Sequence, residues 1–214
     1  MTVRESIIKG QVSSEHVVQF FDSDESRAAC VATFLAEGYR AGERLFVVAR
    51  RSNWAAIVAQ LETMDVPVQQ AIAGSRLIGR DADDTLRRLS RKGSPDAMLF
   101  DEVVGGAVAD LQEPGGRVRI YGEMVDMLAQ RGELRDAIRL ETLWNDLGER
   151  TSYFLMCGYS AAHFVSSSTH RAMRDICGAH SCVHRHANDQ LASWLLTAAH
   201  NRPETPGSAT ALQN

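Results

Sequence analysis

The 214-residue chain carries 23 Lys and Arg against 27 Asp and Glu, a net charge of −4, with 23% charged and 44% apolar residues. These values suit one globular domain with a full core and exclude the basic stripe of a nucleic-acid binder, so no direct nucleic-acid contact is expected. No stretch has the length and apolarity of a signal peptide or membrane span, and the four cysteines (Cys30, Cys157, Cys177, Cys182) fit reduced thiols, so a cytoplasmic protein is expected.

Residues 1–14 are polar and predict a flexible N-terminus. His16 to Phe21 is a short β-rich run, and the Asp22-Ser23-Asp24-Glu25-Ser26 turn after it offers side-chain acceptors to cap a helix from about Ser26 to Tyr39. Gly38 and Gly42 mark the end of that helix. Arg44 to Ala49 is apolar after its first residue, the pattern of a strand buried on both faces. A helix capped at Ser52 and Asn53 should run to about Thr63. A strand from Ser75 to Gly79, around Arg76, Leu77 and Ile78, follows, then a helix from Asp83 to Arg91. Pro95 to about Gln112 reads as a longer helix, closed by Glu113-Pro114-Gly115-Gly116. Next come a strand over 117–121, a helix from Glu123 to Gln130, and a helix from Glu133 to about Leu147. Ser152 to Cys157 reads as a further strand, ending at Gly158, Tyr159 and Ser160, with helices near 169–178 and 188–200 beyond it. Residues 201–214, rich in Pro, Ser, Thr and Gly, predict a disordered tail. Strands alternating with helices imply βαβ units, and hence a single three-layer α/β domain over 15–200 with a mostly parallel sheet of about five or more strands.

In such a sheet a ligand is expected in the crevice beyond the carboxyl ends of the strands. Those ends carry Asp22, Asp24, Arg50, Arg51, Asp81, Glu123, Tyr159 and Ser160, a mixed-charge rim able to orient a small molecule. Gly122-Glu123 closes one strand, and Leu140-Glu141-Thr142-Leu143-Trp144-Asn145 adds a second carboxylate, an indole and an amide on a helix. Glu123 equally suits a helix cap, Glu141 a partner of Arg135 or Arg139, and Trp144 the core. Phosphate-cradling machinery is missing: the first strand runs into acidic residues rather than a glycine-rich turn with Lys, and no G-x-G-x-x-G follows a strand. No G-x-S-x-G elbow is present, Ser160 has no evident base, and Cys157 reads as a small buried hydrophobe. No catalytic motif is complete, so catalysis is not expected. The densest local cluster is Cys177, His180, Cys182, His184 and His186, donor types that suit zinc or iron or a redox response, although the spacing matches no standard finger.

The order and spacing of several of these segments resemble the MEDS domain, the DcmR-type sensory domain of methanogen, methylotroph and other prokaryotic regulators. The resemblance runs over roughly 14–186. It rests on His16-Val17-Val18-Gln19-Phe20-Phe21 and the acidic turn, Phe34-Leu35-Ala36-Glu37-Gly38, and Arg119-Ile120-Tyr121-Gly122-Glu123-Met124. It continues in the 140–145 segment, Phe154 to Tyr159, and Ile176 to His180. The resemblance implies a RecA/KaiC-like core with a degenerate phosphate loop, and a module that senses a small molecule such as a simple hydrocarbon derivative. It implies ligand contacts at His16, Glu123, Glu141, Trp144, Asn145, Cys157, Tyr159, Cys177 and His180. No output module is evident in the sequence, so a separate signalling partner, a histidine kinase or transcription regulator, is expected, and the resemblance also allows a homodimer. A metal- or redox-responsive sensor built on Cys177, His180, Cys182 and His184, and a degenerate nucleotide-binding protein, stand as alternatives.

Overall fold

The computed structural model describes residues 14–114 and 116–184. The expected helix near 188–200, His186 and the expected tail at 201–214 lie outside these residues, as do residues 1–13. The chain builds strand β1 (Glu15–Phe21), helix α1 (Asp24–Arg40), β2 (Arg44–Ala49), α2 (Arg51–Thr63), α3 (Val68–Ala73), β3 (Leu77–Asp81) and α4 (Ala82–Arg88). A hairpin of β4 (Ser90–Arg91) and β5 (Ser94–Pro95) follows. Then come α5 (Ala97–Phe100), a π-helical turn (Asp101–Gly105), α6 (Gly106–Leu111), β6 (Val118–Gly122), α7 (Met124–Gln130) and α8 (Leu134–Gly148). β7 (Tyr153–Ser160), two short 3-10 turns, α9 (His170–Gly178) and β8 (Cys182–His184) complete the described fold.

The main sheet has the order β3-β2-β6-β7-β1-β8, and all of its paired strands run parallel. Helices cover both faces, as strands that are apolar on both sides require. Val31, Leu35, Ile57, Leu61 and Ala71 pack α1, α2 and α3 on one face, against Val17, Leu45, Val47 and Tyr121. Leu86, Val104, Val125, Leu128, Leu140, Trp144 and Ile176 pack the later helices on the other, against Val18, Phe46, Ile120 and Leu155. The chain moves from β1 past two neighbours to β2 and β3, then returns through β6 and β7. The connection from β2 therefore leaves on the face opposite to those from its neighbours β3 and β6, the arrangement that opens a crevice at the carboxyl edge. Among the described residues no helix is long and apolar enough to cross a membrane.

Local chemistry explains where the elements begin and end. Ser23 and Ser26 form a reciprocal capping box at the start of α1, each hydroxyl accepting from the other's backbone N–H, at 3.2 and 3.3 Å. The helix expected from Asp83 to Arg91 stops at Arg88. Lys92 and Gly93, at φ 52° and 91°, instead make the two-residue turn of the β4–β5 hairpin. The long helix expected over 95–112 is interrupted by its π-helical turn, where a Cβ on Gly105 would meet Asp101 Oδ1 at 2.6 Å. Strand β7 extends beyond Cys157 to Ser160, because Gly158, Tyr159 and Ser160 continue the ladder with Gln19, Phe20 and Phe21.

Candidate functional site

The carboxyl edge of the sheet holds a buried charge network. β6 delivers Glu123 to full burial between β2 and β7, and α7, starting at the next residue, buries Asp126 one turn later. Glu123 Oε1 accepts the backbone N–H of Arg50 at the start of α2, so a side-chain carboxylate occupies the helix terminus where an external anion would otherwise bind. Its other oxygen accepts from Asn53 Nδ2 at 2.8 Å and from the Tyr121 hydroxyl at 3.2 Å. Asp126 accepts from Arg50 Nη1 at 2.9 Å and from the Ser160 backbone N–H at 2.7 Å, and His163 Nε2 stands 3.2 Å away.

Opposite these carboxylates lies Arg27, only 3% exposed, with Nη1 3.6 Å from Glu123 and Nη2 3.5 Å from Asp126. Burial opposes the charge of Arg27, yet its anionic surroundings raise its pKa. Burial first, and then the Glu123 carboxylate, push the Tyr121 phenol well above its ordinary range. Tyr121 fits because Gly158 has no side chain: a Cβ there would meet the Tyr121 hydroxyl at 2.8 Å and ring carbons of Tyr121 and Phe21 at 2.9 and 3.0 Å. Gly158→Ala is therefore expected to cost about 1–3 kcal/mol in urea unfolding through overpacking. A loss below about 0.5 kcal/mol would show that the Tyr121 contact yields freely.

Arg50 links this network to the surface. It forms part of the wall of an open cleft of about 690 Å³, where Arg50, Arg51 and Arg87 meet Asp81, Asp83 and Asp84 beside Ser52. Arg51 pairs with Asp81 at 3.1 Å and Arg87 with Asp84, so two of the three arginines are engaged within the cleft. Arg50 instead turns inward to Asp126 and Gln130.

A second buried cluster lies between the sheet and α8. His16 of β1, Cys157 of β7, Glu141 of α8 and His180 just after α9 each present a donor atom, all within 4.8 Å of one another. Glu141 Oε2 is 3.2 Å from His16 Nε2 and 3.4 Å from His180 Nε2, while Oε1 accepts the Tyr159 hydroxyl at 2.8 Å. His16 Nε2 is 3.3 Å from Cys157 Sγ, and the two imidazole centroids are 4.1 Å apart. Asn145 accepts from His16 Nδ1 at 2.8 Å and donates to Ala179 O at 2.9 Å, clamping the two histidine-bearing segments together. Burial opposes the charge on Glu141, but His180 and His16 outweigh it and hold the carboxyl well below its usual range. Burial likewise opposes protonation of His180, and the Glu141 carboxylate raises it in return. Burial, then Glu141, push the Cys157 thiol and the Tyr159 phenol well up.

Residues 15–181 match the family described as MEDS: MEthanogen/methylotroph, DcmR Sensory domain. The chain belongs to the MEDS family. The match spans both networks, from His16 to His180, so both lie within the MEDS domain and its sensory character frames them together. No curated protein matches the chain.

The MEDS domain distributes the residues singled out from sequence over several environments. His16, Glu141, Asn145, Cys157, Tyr159 and His180 converge in the second cluster. Glu123 stands in the first, separate from Glu141. Asp22 is exposed beyond β1. Trp144 is core: its ring meets Phe100 and Tyr153 edge-on, with centroids 5.1 and 6.2 Å apart. Cys177 packs half-buried against the core, outside the donor group around His180, and burial raises its pKa to about 11. Cys182 and His184 belong to β8, paired in register with Val17 and Gln19. Arg27, Asn53, Asp126 and His163 escaped sequence reasoning. Two of them left a signal: Arg27 stands on the same stripe as Val31 and Phe34, and Asp126 interrupts the otherwise apolar Met124–Leu128.

Proposed function

We propose that this MEDS domain detects a small oxygenated organic molecule at the carboxyl edge of its sheet and reports occupancy to a separate signalling protein. The observation that carries this reading is Arg50, which borders the open cleft while its side chain and backbone reach Asp126 and Glu123. A ligand that draws the guanidinium outward removes a cation from two buried carboxylates, so binding at the surface has an energetic consequence inside. Arg27 adds support: its Nε and Nη1 are buried and lack a hydrogen-bond partner among the described residues, leaving donors for a hydroxyl, carbonyl or carboxylate. Detection is favoured over turnover because the basic and acidic side chains of the cleft pair with one another rather than aligning a nucleophile with a base.

A RecA/KaiC-like core with a degenerate phosphate loop fits this reading. The turn from β1 into α1 is held by serine hydroxyls instead of glycines, and Glu123 fills the N-terminus of α2. A histidine kinase or transcription regulator is the proposed recipient of the signal.

Thermal unfolding of the full chain with short alcohols, aldehydes, carboxylates and chlorinated hydrocarbons tests the proposal. A ligand at about 100 times its Kd should stabilise by about 2.7 kcal/mol, and Arg50→Ala should abolish the shift. Absence of any shift across the panel, or an undiminished shift in Arg50→Ala, would overturn it.

A further inference from the structure

The cluster around Glu141 has a geometry that hydrogen bonding alone leaves unsatisfied. His180 Nδ1 is 2.6 Å from the carbonyl of Ile176 and must carry the hydrogen of that contact. His16 Nδ1 faces the Asn145 oxygen, whose orientation is set by the amide donating to Ala179 O, so this nitrogen carries a hydrogen too. Both Nε2 atoms are thereby left facing inward, toward the same carboxylate oxygen. Tyr159 engages Oε1, while Glu141 Oε2 and His180 Nε2, both buried, have no hydrogen-bond partner among the described residues. His16 Nε2 has the Cys157 thiol as its neighbour at 3.3 Å, but the His180 lone pair and Glu141 Oε2 face each other across a buried point and repel unless a proton or a metal ion joins them.

The spacing fits such a cation. Ligands around a tetrahedral ion with bonds of ~2.0–2.3 Å stand ~3.3–3.7 Å apart. The separations of 3.2, 3.3 and 3.4 Å are close to this, and the widest pair, within 4.8 Å, needs about 1 Å of closure. Histidines whose outer nitrogen donates to a carbonyl or amide are the usual surroundings of a metal-bound imidazole. We propose that His16 Nε2, His180 Nε2, a Glu141 oxygen and the Cys157 sulfur form a zinc-type divalent metal site. Two nitrogens, one oxygen and one thiolate favour zinc over magnesium or calcium, which take oxygen ligands at higher coordination. Cys157 loses its proton on binding, and the ion replaces that proton as partner of the sulfur.

This site is independent of the Arg50 cleft and extends the function beyond it. His180 arrives on the segment between α9 and β8, and its neighbour Ser181 is already tied to His16, donating from its backbone N–H to His16 O at 2.9 Å. Metal binding through His180 therefore links the ion's occupancy to strand β8.

Cobalt replacement of the chelator-treated full chain under reducing conditions provides the test. Tetrahedral cobalt bound to a thiolate should show intense visible bands and a near-ultraviolet sulfur-to-metal band, both displaced by zinc. Cys157→Ser should remove the sulfur band, His180→Ala should weaken binding at least about tenfold, and Cys177→Ala should leave the spectrum unchanged. A wild-type spectrum without the sulfur band, or a band that survives Cys157→Ser or disappears with Cys177→Ala, overturns the assignment. Should Cys157→Ser fail to fold, the wild-type spectrum and zinc-dependent thermal stabilisation decide, and the absence of both overturns it.

Discussion

Glu123→Ala is expected to destabilise the protein by about 3–5 kcal/mol, measured by urea unfolding at neutral pH. The carboxylate is fully buried and has Arg27, Arg50, Asn53 and Tyr121 around it. Removing it leaves Arg27, 3% exposed, facing a buried site with Asp126 as its principal remaining counter-charge. Most of the expected loss is the cost of that under-compensated cation rather than the worth of any one contact. A double mutant cycle separates the two. Glu123→Leu combined with Arg27→Met should recover a large part of the loss, because shape is kept and the orphaned charge is gone. A loss below about 1 kcal/mol for Glu123→Ala would mean that water or another group reaches Arg27 freely.

Trp144→Ala is expected to cost about 3–5 kcal/mol, with Trp144→Phe much milder. The indole is 1% exposed and packs edge-on against Phe100 and Tyr153, projecting from the same helix that presents Glu141 and Asn145. Its truncation opens a cavity on the core side of the helix that also carries Glu141. The experiment also separates packing from recognition. If Trp144 touches a sensed molecule, Trp144→Phe should lose the ligand-induced thermal shift while keeping its fold; the packing assignment expects the shift to persist.

The alternating strands and helices were legible because each answers to a local rule. Arg44–Ala49 is apolar throughout after its first residue, as a strand covered on both faces must be, and the serines near residue 23 supply hydroxyls where α1 starts. The missed elements failed for equally local reasons. Lys92-Gly93 lacks the Asn-Gly or Asp-Gly signature of a tight hairpin, and the π-helical turn at Asp101–Gly105 leaves the apolar period of its helix almost unchanged.

The candidate sites divide along another line. Local density pointed to Cys177, His180, Cys182 and His184 as one cluster, yet His180 finds its partners at His16, Glu141 and Cys157, far away in the chain. Residue types alone identify which groups can bind a cation or hold a carboxylate, and sequence periodicity identifies the strands and helices that carry them. The placement of β1 between β7 and β8, however, is a long-range pairing choice with no local signature. That choice sets His16 beside Cys157 and brings β8, with the segment carrying His180, against the far edge of β1. Propensity acts over a few residues, whereas convergence of donors within 4.8 Å depends on which strands neighbour one another, and that is decided when the whole core is buried at once.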